Sequence, residues 1–253
     1  NLNPQASLQY NIAKQRTFRL NYYGNTSQPG LEQIQPIRVN NDPLNIVLGN
    51  PDLKPSFTNR FSMSYNSYKI LTDKYIYLNG SYGFTSNAIV NNVVTDSAGK
   101  STYQAFNMTG KSPNSFYLYS NMSQKVNKAG LNLGFGISAN GNTYYNLINN
   151  MENMTESYNF SGQLTVSQYK AKKYHFWISL GPNYNRSQSS LQRQLNNNGW
   201  GMNSNASFSI TLPGKKEIVS DGNYEYRQKT LSFDQDFDRL IWNTAINKKL
   251  LKQ

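Results

Sequence analysis

The chain has 253 residues, carries 25 Lys and Arg against 13 Asp and Glu for a net charge of +12, and contains no Cys, which excludes disulfides and thiolate metal sites. Only 37% of residues are hydrophobic and 15% charged, so neutral polar residues fill the remainder, yet 19 Tyr and 12 Phe argue against a disordered chain. No run approaches the roughly 18 apolar residues of a transmembrane helix, which leaves a closed sheet as the other way across a bilayer.

Taken in chain order, separate segments alternate apolar with small polar residues. Phe18, Leu20 and Tyr22 alternate with Arg19, Asn21 and Tyr23, and Phe61, Met63 and Tyr65 with Ser62, Ser64 and Asn66. Ile76, Leu78, Tyr82 and Phe84 alternate with Asn79, Ser81, Gly83 and Thr85. Leu131, Leu133, Phe135 and Ile137 alternate with Asn132, Gly134, Gly136 and Ser138. The same holds for Tyr158, Phe160, Leu164 and Val166 against Asn159, Ser161, Gln163 and Thr165, and for Phe208, Ile210 and Leu212 against Ser207, Ser209 and Thr211. Successive side chains of a strand point to opposite faces, so each segment has one apolar and one small polar face. The stretch from Gln28 to Pro55, punctuated by Asn-Pro and Asp-Pro, is predicted to be non-strand.

The connections alternate too. Short basic turns recur at Lys14 to Arg16, Lys69 to Lys74, Lys125 to Lys128, Lys170 to Lys173 and Lys215 to Lys216. Between them lie stretches rich in Asn, Gly and Ser, expected to be long loops: Val94 to Lys100, Asn140 to Asn153 and Ser187 to Gly201. Short turns at one end and long loops at the other are the habit of outer-membrane barrels. Tyr68 and Tyr75 bracket one short turn, and Tyr169 and Tyr174 another with Phe176 and Trp177 behind, as expected of a girdle at the membrane boundary. The basic turns account for much of the net charge as a solvated rim, unlike the single basic groove with stacking aromatics of a nucleic-acid binder. The segments give about eleven strands of the roughly 9 to 11 residues that a tilted membrane strand needs. Single-chain bacterial barrels normally have an even count, so an odd number means either a miscounted strand or part of a larger barrel, and the abrupt start at Asn1-Leu2-Asn3-Pro4 and the end at Lys252-Gln253 favour a part.

Catalytic chemistry is hard to assemble. His175 is the one His and stands beside a basic turn, where it reads as a rim residue without a positioned partner. Asp234, Asp236 and Asp238 would share a face of an extended segment, but the spacing of a calcium loop is missing. Gly134-Phe135-Gly136 and Gly199-Trp200-Gly201 are not followed by a helix and read as small residues on a lumen-facing strand. The triplets at Asn25, Asn107, Asn121 and Asn159 fit glycan acceptors in form only, since several fall inside strands. Tyr103, Tyr144, Tyr145 and Trp200 are the candidate ligand contacts, because aromatics supply rigid area; membership of the outer girdle is the equal alternative.

The residues Gln28, Pro29, Gln33 and Pro36, followed by Asp42-Pro43-Leu44-Asn45 and Gly49-Asn50-Pro51-Asp52-Leu53-Lys54-Pro55, resemble a stretch of the barrels of TonB-dependent receptors of Bacteroidetes-type bacteria. Leu240-Ile241-Trp242-Asn243 and Ile246-Asn247-Lys248-Lys249 resemble that family's penultimate strands. The resemblance implies an all-β, antiparallel up-and-down transmembrane β-barrel of 22 strands around a plug. Residues 1–253 would form a single barrel segment that lacks the plug and the last strands. It further implies an outer-membrane location and uptake of a scarce nutrient. The partners would be outer-membrane lipid, the N-terminal plug of the same protein, TonB through that plug, and the ligand. No cofactor, enzymatic activity or nucleic-acid partner is expected, and the motif residues are expected to shape an outer loop. Two rival classes remain: a soluble extracellular β-sandwich that binds glycans, with a dry core between two sheets, and an outer-membrane enzyme built on a barrel.

Overall fold

A computed structural model describes residues 3–214 and 216–248. Among these, fifteen strands join one sheet. The first half of the chain holds β1 (Gln5–Ala13), β2 (Arg16–Ser27), a helical turn α1 (Leu31–Ile34), β3 (Arg38–Asp42), β4 (Asn45–Leu48), β5 (Ser56–Lys69), β6 (Lys74–Ser86), β7 (Ile89–Thr95) and β8 (Ser101–Asn107). The second holds β9 (Asn114–Val126), β10 (Leu131–Ile148), β11 (Met151–Lys170), β12 (Tyr174–Ser189), β13 (Asn197–Leu212), β14 (Lys216–Arg227) and β15 (Phe237–Lys248). The main path runs β1-β2-β5-β6-β9-β10-β11-β12-β13-β14-β15, every neighbour antiparallel. It has eleven strands, the number that the alternation implies, and β1 and β15 are its two unpaired edges.

The register carries one polarity across the whole wall. Starting at Leu8, successive cross-strand partners are Leu20, Met63, Gly80, Leu118, Ala139, Phe160, Tyr184 and Trp200. The row one residue away, starting at Ser7, runs Asn21, Ser62, Ser81, Tyr117, Asn140, Asn159, Asn185 and Gly199. The first row is apolar and the second polar over nine strands. No second sheet covers the apolar row among the described residues, and Leu164 (53%), Trp242 (63%) and Ile246 (72%) stand open. A sandwich would have buried them. Moving each such side chain from water to hydrocarbon gains roughly 1.5–3 kcal/mol, so lipid is the medium that completes this face.

The basic connections β1–β2, β5–β6 (flanked by Lys69 and Lys74), β9–β10, β11–β12 and β13–β14 all lie at one end of the sheet; Lys215 and Lys249 lie outside the described residues. The other end holds the longer connections 28–55, 87–113, 190–196 and 228–236.

Two of the expected loops are mostly strand, and the non-strand stretch 28–55 holds a short hairpin. Asn140 to Asn153 is the top of a hairpin in which β10 runs for 18 residues and β11 for 20, closed by Asn149 and Asn150 at φ 51° and 64°. Two consecutive left-handed residues make the tight turn that suits the right-handed twist of a hairpin. Above the bilayer both faces of a strand are wet, so alternation fades and polarity alone mimics a loop. Likewise β12 continues to Ser189 and β13 begins at Asn197, and 28–55 holds α1 and the β3–β4 hairpin. Between Val94 and Lys100, only a turn remains, where Asp96 Oδ1 accepts from the amides of Ala98 and Lys100, each at 2.9 Å.

The girdle divides by register. Tyr174 and Phe176 are in line with Ile210 and Phe208 on the apolar face. Tyr68, Tyr75, Tyr169 and Trp177 are on the polar face: Tyr68 faces Tyr75, Tyr169 faces His175, and Trp177 lies between Ser167 and Ser207.

The face assignment predicts that Leu78→Arg, whose partners are Tyr65 and Ser120 on the apolar face, destabilises the barrel by about 2–4 kcal/mol at mid-bilayer. Ser81→Arg, between Ser62 and Tyr117 on the polar face, should cost far less in the same lipid-vesicle unfolding titration. Equal losses would reject the assignment.

Candidate functional site

The polar face is a lattice of short hydrogen-bonding side chains. Ser138 and Ser161 share a hydrogen bond of 2.7 Å, Gln163 Nε2 donates to Ser179 Oγ at 2.9 Å, and Asn223 Nδ2 donates to Asn205 Oδ1 at 2.8 Å. Because Ser, Gly and Asn dominate, these side chains leave the space in front of the wall to water or another domain. Above the wall, β7 pairs in parallel with the top of β10, β8 with β7, and β4 in parallel with β8. The sheet thus continues into the outer connections.

The motif loop is architectural, and its residues have identifiable tasks. A Cβ on Gly49 would lie 1.6 Å from the Gln35 carbonyl oxygen, so only glycine passes that crossing. Asn50 Nδ2 donates to the Ala105 carbonyl at 2.8 Å while its Oδ1 accepts from the Asp52 amide at 3.1 Å. Leu53 is buried, and Pro51 and Pro55 frame it. Asn107 accepts from the Lys54 amide at 2.7 Å and donates to the carbonyls of Lys54 and Asn87. Asn87 in turn donates to the Pro55 carbonyl at 2.9 Å. At the Asp42-Pro43 turn, Asp42 accepts from Asn45 Nδ2 at 2.7 Å and from the Leu44 amide at 2.9 Å. These bonds, that from Asn45 foremost, hold its carboxyl below the ordinary carboxylate range. Gln28 and Pro29 form the exit of β2 toward α1.

The four aromatic candidates do not converge. Tyr144 faces Thr155 on the polar side and is exposed, and Tyr103, two strands away, donates through its hydroxyl to Asn45 Oδ1 at 3.3 Å. Tyr145, one residue on from Tyr144 and so on the opposite face, packs against Ala88, Val90 and Met108, with the Lys111 ammonium 5.8 Å from its ring centre. Trp200 stands on the apolar face against Tyr184, ring centres 4.9 Å apart, in the position of a girdle residue. His175 meets the edge of Tyr169 near the basic turns. Asp236 accepts from the Lys229 amide, and among the described residues no group of His, Cys, Asp and Glu is arranged to hold a metal ion. Of the glycan-acceptor triplets, Asn107 spends its carboxamide on backbone as above, and Asn159 donates to Asn185 inside the sheet.

Sequence reasoning missed a cleft at the outer end of β12–β14. The 228–236 connection folds across the polar face: a Cβ on Gly199 would lie 2.9 Å from Thr230 Cγ2, and one on Gly201 2.6 Å from Asn183 Oδ1. The glycines flanking Trp200 are thus the floor of the cleft. Gln228 fixes the fold-back through its amide to the Trp200 carbonyl at 2.9 Å and its Oε1 to the Trp200 amide at 3.2 Å. The space enclosed is about 210 Å³, and its polar walls include Asn183, Asn203, Glu225 and Arg227, with Phe233 from the connection. The Gly-Trp-Gly triplet was the one signal in the sequence. Arg227 and Phe233 are brought together by a fold-back that no local pattern announces.

A single antiparallel wall with an apolar face open to lipid, a wet face opposite and its short basic turns gathered at one end is the wall of a transmembrane β-barrel. The Outer membrane protein beta-barrel family matches residues 1–253, and the chain belongs to that family, which places it in the bacterial outer membrane. A search of the curated proteins finds no match to this sequence.

Two outcomes test the loop. Gly49→Ala should open the 28–55 connection to protease while the membrane wall stays resistant, as read by limited proteolysis of the folded protein. Asp42, with its folded pKa depressed below 3.8, orders its turn fully above that value and loses the effect as pH falls through the folded pKa. Hydrogen exchange at the Leu44 amide, corrected for intrinsic rates, should therefore lose protection only in acid below pH 3.8.

Proposed function

We propose that the chain is the wall of a TonB-dependent receptor barrel that takes up a scarce nutrient, with its polar face turned to an N-terminal plug of the same protein. The observation that carries this reading is the polar face itself, which is continuous across the wall and built from Ser, Asn and Gly. Barrels small enough to fill their own interior do so with large side chains, whereas wide ones hold a channel or a separate plug. In this reading further strands pair with β1 and β15, because unpaired strand backbone is not tolerated in hydrocarbon. We assign 22 strands in all, the number implied by the motif at Asp42-Pro43 and Gly49 to Pro55. The partners in this reading are outer-membrane lipid, the plug, TonB through the plug, and the nutrient. Transport rather than catalysis is the assigned role, without a cofactor, and the basic residues serve as a rim rather than a nucleic-acid groove.

The chain has no Cys, so single cysteines report cleanly on each face. In the full-length receptor in outer membranes, Ser161→Cys should be shielded from an aqueous maleimide and become reactive when the domain preceding the barrel is deleted. Phe160→Cys, its neighbour on the apolar face, should stay unreactive in both. Equal labelling of Ser161→Cys with and without that domain would leave an open pore in place of a plugged receptor.

A further inference from the structure

We infer that the cleft beneath the 228–236 connection binds a small ligand through its carboxylate, with Arg227 as the principal contact. The guanidinium of Arg227 lies 3.8 Å from the ring centre of Phe233 and 5.5 Å from that of Phe237. A ring under its plane fixes the guanidinium and leaves its N–H edge as a planar fork, which matches the two oxygens of a carboxylate. That edge has no hydrogen bond or ion pair among the described residues. The acidic group nearest along the strand, Glu225, is taken by Arg239 Nη2 at 2.8 Å. Asp236, in the connection, is turned to the Lys229 amide at 2.6 Å. Of the two charged residues that line the cleft, Glu225 is paired with Arg239, so Arg227 is the lining charge without an ion-pair partner among the described residues.

The neutral groups around it are set to donate. Asn159 Nδ2 donates to Asn185 Oδ1, and Asn185 Nδ2 donates to Asn183 Oδ1 at 3.3 Å. This relay leaves the Asn183 amide group as its unspent donor above the Gly201 floor. Asn203, beside it, has no side-chain partner among the described residues. One guanidinium stacked on a ring with two carboxamide donors, in a space of about 210 Å³, suits a monoanion with adjacent hydroxyl or amide groups, the size of one acidic sugar or a dipeptide. A doubly charged phosphate would find one cation where it needs more. Uronic acids and peptide C-termini share this chemistry.

The inference rests on the receptor reading for its purpose only. Binding is measured without energised uptake, so its failure leaves the plug-labelling result untouched. The test is calorimetric titration of the full-length receptor in detergent with glucuronic acid and Ala-Ala. Glucose, C-terminally amidated Ala-Ala and inorganic phosphate are the controls. At least one acid should bind, with its neutral counterpart and phosphate at least tenfold weaker, and the acid that binds identifies the source. Arg227→Gln should weaken it at least tenfold and Arg227→Lys, which keeps the charge but loses the fork, by a smaller factor. Asn203→Ala, an exposed position that leaves Arg227 in place, should weaken it severalfold and guards against a folding artefact at position 227. Binding of neither acid, equal binding of a neutral counterpart or of phosphate, or unchanged affinity in Arg227→Gln would overturn the assignment.

Discussion

The structure depends on strand register. Side chains alternate with a period of two, so a slip of one residue between any two neighbours would carry the apolar row onto the polar row and put Ser and Asn into hydrocarbon. Eleven strands are held in phase, and the turns share in this. The β5–β6 turn closes through Asp73 at φ 45°, the β11–β12 turn through Lys172 at φ 58°, and the β10–β11 turn through two left-handed Asn residues. The pairing irregularity between Asn11 and Ala13 keeps Leu8 opposite Leu20 despite the unequal ends of β1 and β2. Lipid enforces the remainder, because a misregistered strand has no other apolar phase to offer.

Legibility in the sequence follows the same physics. Where one face meets lipid and the other water, as in Phe61 to Tyr65 or Leu131 to Ile137, the contrast between neighbours is maximal and the strands can be seen directly. The number of strands on the main path and the sorting of turns by end follow from it. Above the bilayer that contrast vanishes. Asn140, Asn142 and Asn146 sit in a regular ladder with Asn159, Ser157 and Asn153, yet nothing in their polarity separates strand from loop. Only the Asn149-Asn150 pair marks the hairpin, and one turn signal within a polar run carries little weight. The face of an aromatic was illegible for a related reason: Tyr tolerates lipid boundary and lumen equally, so Tyr68 and Tyr174 look alike until register places them on opposite sides.

The candidate site was harder to see because its parts come from separate strands and a fold-back. Tyr144 and Tyr145 are adjacent, a relation that in a strand guarantees opposite faces. A cluster of neighbouring aromatics therefore cannot all line one site. The residues that do meet, Asn183, Asn203, Arg227 and Phe233, come from three strands and a connection.

Two kinds of core coexist in this chain. The wall has none of its own and uses lipid, while the outer connections 28–55 and 87–113 contain all the buried apolar residues among those described: Ile46, Leu53, Ala88, Val90, Ala105 and Met108. That part of the rim is built like a small water-soluble unit, with parallel strand pairs and carboxamides such as Asn50 and Asn107 cross-linking the two connections. The β12–β13 connection is tied down differently, by the buried Asn153, whose Oδ1 accepts from Ser189, Ser190 and the Leu191 amide. The 228–236 connection has no buried apolar residue among those described: a Thr230–Phe233 bridge, the Ser232 amide on Thr230 Oγ1, the Gln228 bonds, the Asp236 carboxylate and the stacking of Arg227 on Phe233 hold it. Segments with few buried apolar contacts open at the lowest free energy, and binding segments are drawn from that end of the range. The rim thus has its densest apolar packing over the motif loop and its sparsest over the 228–236 connection, where polar bonds and the stacking of Arg227 on Phe233 take the place of a buried core.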